Sequence, residues 1–255
     1  MSYREFEPRA ELRDLVACTW ERDVPAGAPG PSRILPDGSV DLMWRANELV
    51  VAGPDRGPFL SSVPAGTVVG LRLRPGTAGR VLGVPASELL DTRLPLAEVW
   101  PLDGLDERVA GARSGAHRRE ELERALLARR ERIGAADRLI HAAAARLGRP
   151  EVRVGTLSDE LGTSERQLRR RFNDAVGYGP KTLDRILRFQ RFVGLVQALA
   201  NGAGAGLART AAELGYADQS HLTRECTRLS GLTPRELITE ARRASGGRLP
   251  ARGRG

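Results

Sequence analysis

The sequence predicts an α+β N-terminal domain followed by an all-α domain in which two helix-turn-helix units are joined by a long helix. Three observations carry that prediction. Within residues 1–100, short runs alternate apolar and polar side chains and are separated by Gly and Pro turns. Beyond residue 150, a set of unlike residues recurs at a fixed spacing. Charge is also divided unevenly. Residues 1–100 hold 11 basic and 13 acidic groups, residues 101–133 hold 8 and 7, and residues 134–255 hold 21 and 12.

The opening stretch YREFEPRAELRDLVACTWERD reads as a segment that packs Leu12, Leu15, Val16 and Trp20 inward. SRILPDGSVDLMW reads as two short strands around the turn Pro36-Asp37-Gly38. ELVVAG and TVVGLRLRPG read as further strands. In the second of these, Val69, Leu71 and Leu73 form a buried face that alternates with a polar face of Gly70, Arg72 and Arg74. TAGRVLGVPASELL reads as a short helix, a break from Gly83 to Pro85 and another helical turn.

Residues 101–133 are helical and highly charged. Leu122, Leu126 and Ile133, with Ala125 and Ala128, give a thin apolar stripe, and Gly111 to Gly115 is a hinge before it. A connecting helix with a solvated face and a dimer or coupling helix both fit that pattern. From 134 the chain reads as one helical domain to about 245. Its first helix places Ala136, Leu139, Ile140, Ala143, Ala144 and Leu147 on one face and stops at Gly148-Arg149-Pro150. His141 falls off that stripe. Residues 246–255 form a basic tail of disordered composition.

Leu157, Leu161 and Gly162 read as a short amphipathic helix ending in a tight turn. Ser164 and Gln167 then have capping-box spacing, so a second helix begins there. Leu168 and Phe172 share its buried face, whereas Arg166, Arg169 and Arg170 share another that stays in water. Such a pair of helices presents an arginine-studded face of the size of a major groove. Arg171 points elsewhere and pairs with an acidic neighbour or a phosphate. From Leu183 to Ala200 runs a long helix whose broad apolar surface suits a linker packed on both sides. Phe189 and Phe192 belong to that surface. Arg185, Arg188 and Arg191 would line a nucleic-acid backbone or form a solvated edge. Moving 54 residues on from Leu168, Phe172, Gly177, Pro180 and Leu183 gives Leu222, Cys226, Gly231, Pro234 and Leu237, and Arg170 gives Arg224. Glu160-Leu161-Gly162 recurs one residue closer, as Glu213-Leu214-Gly215. The chain therefore uses one structural unit twice.

Composition bounds the function. An apolar content of 41% and a charged content of 28% suit a soluble globular protein. No apolar run approaches the ~18 residues of a membrane span, and the N-terminus lacks a secretory pattern, so a cytoplasmic protein is expected. Two distant cysteines, Cys18 and Cys226, fit a reducing compartment. His117, His141 and His221 all lie beyond residue 100, with no zinc spacing and no nucleophile-base pair, so neither a metal, a cofactor nor catalysis is expected. The basic excess of the C-terminal half is what phosphate neutralisation requires. Only Lys181 among the 40 basic residues is a lysine, a bias that GC-rich coding also produces.

LSDELGTSERQLRRRFNDAVGYGPKTL and TAAELGYADQSHLTRECTRLSGLTPREL, with the turn Gly215-Tyr216-x-Asp218 and the ending Gly231-x-x-Pro234, resemble the DNA-binding domain of AraC-type bacterial transcription regulators. The family usually has Phe where Cys226 stands, and its turn is shorter than the run from Asn201 to Gly206. YREFEPRAELRDLVACTW, LPDGSVDLMW and GLRLRPGTAGRVLGVPASELLD resemble an N-terminal domain of unassigned function that accompanies such domains. The resemblance implies base contacts from Arg166, Arg169 and Arg170 in the first unit, and DNA contacts from Gln219, Ser220, His221 and Arg224 in the second. Arginine can fork a guanine's O6 and N7, which contributes roughly 1–3 kcal/mol of discrimination; an arginine that meets only phosphate orients without specifying. For His221 a neutral hydrogen-bonding role is the simpler of two, the other being a pH-sensitive contact. Cys226 reads as a small buried residue. Asp218 reads as the cap of the second recognition helix.

The reading is thus a sequence-specific, double-stranded DNA-binding regulator. Residues 1–100 would sense an unknown small-molecule effector or form a homodimer, 101–133 would connect, and 134–245 would read two adjacent major-groove segments. RNA polymerase is a partner if it activates. The alternative from another class is a non-enzymatic protein-interaction adaptor whose helix-turn-helix domain is vestigial.

Overall fold

The computed structural model describes residues 2–27, 32–62, 65–202 and 206–245. The basic tail and part of the run from Asn201 to Gly206 lie outside them. Among the described residues, eight strands are followed by nine α-helices, and a tenth, short one lies inside the sheet-rich half.

The strands are β1 (Ser2–Phe6), β2 (Val16–Val24), β3 (Ser32–Ile34), β4 (Val40–Arg45), β5 (Glu48–Ala52), β6 (Phe59–Ser61), β7 (Gly66–Leu73) and β8 (Arg93–Pro95). Six of them form one antiparallel sheet in the order β1-β2-β7-β4-β5-β8, and β3 pairs with β6 in a separate two-stranded ribbon. Helix α1 (Ala78–Leu82) ends at Gly83 and is followed by a 3-10 turn at Ala86–Leu89, as the break at Gly83 predicts.

Two short strands, β3 and β4, flank Pro36-Asp37-Gly38 as expected, and they do not pair with one another. β4 carries Val40, Leu42 and Trp44, all buried, and burying them requires a central place between β7 and β5. The half-buried β3 is left to pair with β6. A hairpin joins β4 to β5 through Ala46 and Asn47, both at positive φ. The polar face expected for β7 is covered as well. Trp20 lies so close over Gly70 that an added Cβ would fall 2.4 Å from its ring. Arg72 forks Asp41 at 3.0 and 3.1 Å beside it. Leu12, Leu15 and Val16 are buried in the main core as expected, whereas Trp20 is buried on the opposite face of the sheet.

Helices α2 (Leu105–Gly111) and α3 (Gly115–Arg129) occupy the charged segment. Leu105, Val109, Leu122 and Leu126 are all within the core of the sheet-rich half. The stripe is thin because few side chains are needed: α3 lies on β2 and β7, and polar contacts do the rest. The buried Glu123 accepts from the backbone N–H of Arg9 at 2.8 Å, and the Arg119 guanidinium stacks 3.5 Å over the Phe6 ring. The segment is docked on the sheet, not suspended between halves.

The helical half comprises α4 (Arg138–Arg146), α5 (Leu157–Glu160), α6 (Glu165–Val176), α7 (Pro180–Ala200), α8 (Leu207–Glu213), α9 (Gln219–Ser230) and α10 (Pro234–Ser245). A single core joins them, centred on Phe172, Phe189 and Phe192, each fully buried. In α4, Ile140 and Ala143 face that core as predicted, but Ala136 precedes the helix and is exposed. His141 is exposed, off the stripe.

Candidate nucleic-acid interface

The 54-residue repeat is reproduced in the helices. α6 and α9 each have 12 residues and begin 54 apart, and α7 and α10 each begin at a proline 54 apart. Both recognition helices end on a glycine at positive φ, Gly177 at 96° and Gly231 at 74°, where a side chain would be strained.

In the first unit Ser164 caps α6, its hydroxyl accepting from the Gln167 N–H at 3.2 Å, and Gln167 Oε1 accepts in return from the Ser164 N–H. This is the capping box that the spacing predicts. Leu168, Phe172 and Val176 bury one face, which leaves Arg166, Arg169 and Arg170 exposed on the other. Among the described residues none of these three stands in an ion pair, whereas Arg171 is forked by Asp137 at 2.8 and 2.6 Å. Asp137 also caps α4, accepting from the N–H groups of Leu139 and Ile140. One carboxylate thus fastens α4 to α6 and takes Arg171 away from the exposed face.

In the second unit Asp218 caps α9, accepting from the His221 N–H at 2.6 Å. Leu222, Cys226 and Leu229 face inward. Gln219, Ser220 and Arg224 are exposed, and Arg224 too has no ion pair among the described residues. His221 is placed differently from the other three. Its ring is half-buried, stands edge-on to Tyr216 at 5.3 Å, and accepts from the Ala217 N–H through Nδ1 at 3.3 Å. Only Nε2 remains to face outward. Cys226 is fully buried, and burial pushes its thiol up to about 11, so it behaves as a small core residue.

The arginines of α7 are tied to neighbouring groups and do not form a merely solvated edge. Arg185 forks Glu225 of α9, Arg188 bonds Asp184 at 2.6 Å and the Gly215 carbonyl at 3.3 Å, and Arg191 donates to the Leu214 carbonyl at 3.2 Å. Arg188 also lies over the Tyr216 ring. Three cations therefore hold the second unit onto α7, two of them at its turn and Arg185 at α9. The buried Asp184 completes this joint by accepting from the Gly148 N–H at 3.1 Å. A second capping box, Thr233 with Glu236, stands at the start of α10, and its Thr-x-x-Glu spacing is the sequence signal for it.

The two surfaces have a common plan: a capped helix whose first turns project unpaired cations away from an apolar floor. Residues 157–240 match the family profile described as "Helix-turn-helix domain". Residues 157–240 are an AraC-type helix-turn-helix domain. Residues 4–95 match "Domain of unknown function (DUF6597)", so the AraC-type domain stands behind a domain whose role the match does not supply. No curated protein matches the chain. Among solved structures, the chain is similar to ToxT from Vibrio cholerae, at 10% identity over 93% of this chain and 97% of that one, with a TM-score of 0.44. It is also similar to unsaturated fatty acid bound ToxT from the same organism, at 9% identity over 93% and 95%, with a TM-score of 0.42. Likeness this distant bears on no residue's role. Among the described residues no helix is long and apolar enough to cross a membrane.

Proposed function

We propose that the chain is a non-enzymatic, sequence-specific transcription regulator that places α6 and α9 in two adjacent major-groove segments of double-stranded DNA. The observation that carries the reading is the sorting of the arginines. Arg166, Arg169, Arg170 and Arg224 project unpaired from the two repeated helices, while Arg171, Arg185, Arg188 and Arg191 beside them are bound to carboxylates or carbonyls. A surface kept only for solubility has no reason to tie up the arginines beside the recognition faces and leave those on the faces free.

In this reading Arg166, Arg169 and Arg170 fork guanine edges or grip phosphate, Gln219 and Ser220 hydrogen-bond base edges or backbone, and Arg224 takes a contact like that of Arg170. His221 contributes through Nε2 only. The second unit, with fewer free cations, binds more weakly and tolerates more sequence variation. Residues 1–100 with the docked helices of 101–133 form the regulatory part. A small-molecule effector or a second copy that binds one arrangement of the halves better than another shifts DNA affinity by that difference. The protein works in the cytoplasm, and RNA polymerase is its partner where it activates.

Selection of bound fragments from genomic DNA by the purified full chain tests the reading. It predicts a shared motif of two short half-sites about 10 bp apart, centre to centre. Enrichment that tracks only salt and fragment length, with no motif, would falsify it.

A further inference from the structure

The sheet-rich half touches both recognition helices, and in both cases at the C-terminal end. On α6, helix α1 and the 3-10 turn at Ala86–Leu89 lie against the last turn. A Cβ added at Gly79 would fall 2.8 Å from the Asp174 carbonyl oxygen, and one at Gly177 would fall 2.7 Å from Pro54 and 3.0 Å from the Ala86 carbonyl oxygen. On α9, Arg33 of β3 donates to the carbonyl of Ser230, the last residue of the helix, at 2.9 Å. Its cation thus sits at the negative end of that helix, where it is favoured. Between these points α7 is held as well: Gln190 donates to the Pro36 carbonyl at 2.7 Å, and Gly38 packs on Leu183. Leu35 and Leu90 from the sheet-rich half complete the helical core.

We propose that the N-terminal half is a brace that fixes the distance and angle between the two recognition helices, and so makes the protein selective for the spacing of its half-sites. This rests on the DNA-binding reading above. The physical argument is one of constraints. Through α7 alone, the second unit is joined to the first by one helix and a turn, and a small flex of either changes the separation of the reading faces. Attachment of both helix ends to the same N-terminal half, α6 to α1 and the 3-10 turn and α9 to the β3 ribbon, removes that freedom. The attachments leave the N-terminal turns of α6 and α9, with their free cations, uncovered. A duplex with displaced half-sites can then be gripped at both only by breaking the Arg33 contact or the Gly79 contact. The two contacts are independent, one on each unit.

The test uses the full chain, its Arg33→Ala and Gly79→Ala variants, and Arg124→Ala on the solvent side of α3 as control. The probe is the tightest duplex recovered from random DNA, with 0, 1 or 2 bp inserted between half-sites. The wild type and the control should lose at least tenfold in affinity on insertion. Each brace variant should lose at least threefold less than that while binding the uninserted duplex nearly as well. Amide hydrogen exchange without DNA gives the second readout: Arg33→Ala should speed exchange at residues 228–231 and Gly79→Ala at 174–177, each leaving the other end protected. Unchanged spacing penalties in both variants, or unchanged exchange at both helix ends, overturn the brace. If no variant binds any duplex selectively, it is the DNA-binding reading that fails, and the exchange result still decides whether the sheet-rich half holds the helix ends.

Discussion

The first and second helix-turn-helix units are one design executed twice, and they differ where their arginines go. Both have a 12-residue recognition helix, a polar cap, an apolar floor and a terminal glycine at positive φ. The first leaves three arginines free on its outer face and is floored by Phe172, fully buried. The second leaves two free among the described residues of the corresponding helix, Arg224 and Arg228, is floored by the smaller Cys226, and is stitched to α7 by Arg185, Arg188 and Arg191. Repetition of a backbone therefore does not imply repetition of a task. The first unit keeps more cations free, and the second is tied more closely to α7.

That contrast has its largest consequence in stability. Phe172→Ala should cost about 3–5 kcal/mol, because a fully buried ring leaves a cavity that its neighbours only partly fill. At the corresponding position, Cys226→Ala removes a single sulfur and should cost about 1 kcal/mol. Urea unfolding of both variants decides it. Equal costs would mean that the second core is packed as tightly as the first and that the two floors are equivalent.

A smaller effect is expected in binding. Arg170→Ala should weaken the selected duplex by about 1–3 kcal/mol, or roughly 5- to 150-fold, and weaken random duplex much less. Arg224→Ala, on the less basic face, should weaken both by similar, smaller factors. Competition titrations against selected and random DNA separate the cases, and loss of equal size on both duplexes for Arg170→Ala would make it a phosphate contact.

The helical half was legible because its signals are local. Ser164 with Gln167, Asp218 before Gln219, and Gly177 and Gly231 three residues before their prolines mark helix ends within four residues of themselves. The sheet-rich half was read less fully. β2 has both faces covered and so lacks clean alternation, and β6 and β8 are three residues each. Ala46-Asn47 does not carry the usual glycine of a two-residue turn. What was not legible at all was pairing at a distance: Arg185 meets Glu225 across 40 residues, and Arg33 meets Ser230 across 197. Charge periodicity on α7 marks which arginines share a side, but whether that side meets water, phosphate or a carboxylate depends on the tertiary fold.

The caps offer a finer test of equivalence. Ser164→Ala and Asp218→Ala should each cost about 1 kcal/mol. Only the second should shrink as salt is raised, because a carboxylate at a helix N-terminus acts partly through its charge. Asp218→Asn, which retains the acceptor, should recover most of the loss. Failure of Asn to do so would assign the effect to charge alone.

The smallest effect expected at neutral pH concerns two tyrosines whose hydroxyls are buried without a hydrogen-bond partner among the described residues, Tyr178 at the seam with the sheet-rich half and Tyr216 beneath Arg188. Truncating a hydroxyl that makes no protein hydrogen bond removes no interaction, so Tyr178→Phe and Tyr216→Phe should each change stability by less than about 0.5 kcal/mol. Alkaline pH reveals them. Burial pushes both phenols well above the ordinary value of 10.0, with the carboxylates of Asp37, Asp55 and Asp91 adding to the effect at Tyr178. The unfolded chain ionises its tyrosines near pH 10 while the folded chain holds these two neutral, so the unfolded state binds fewer protons and stability falls as pH rises. The slope is about 1.4 kcal/mol per pH unit for each tyrosine. Thermal unfolding should therefore give variants that match the wild type at pH 7 and exceed it above pH 10, by similar amounts for Tyr178→Phe and Tyr216→Phe. A wild type that keeps its advantage at high pH would mean that the hydroxyls are solvated and the seam around Tyr178 is open.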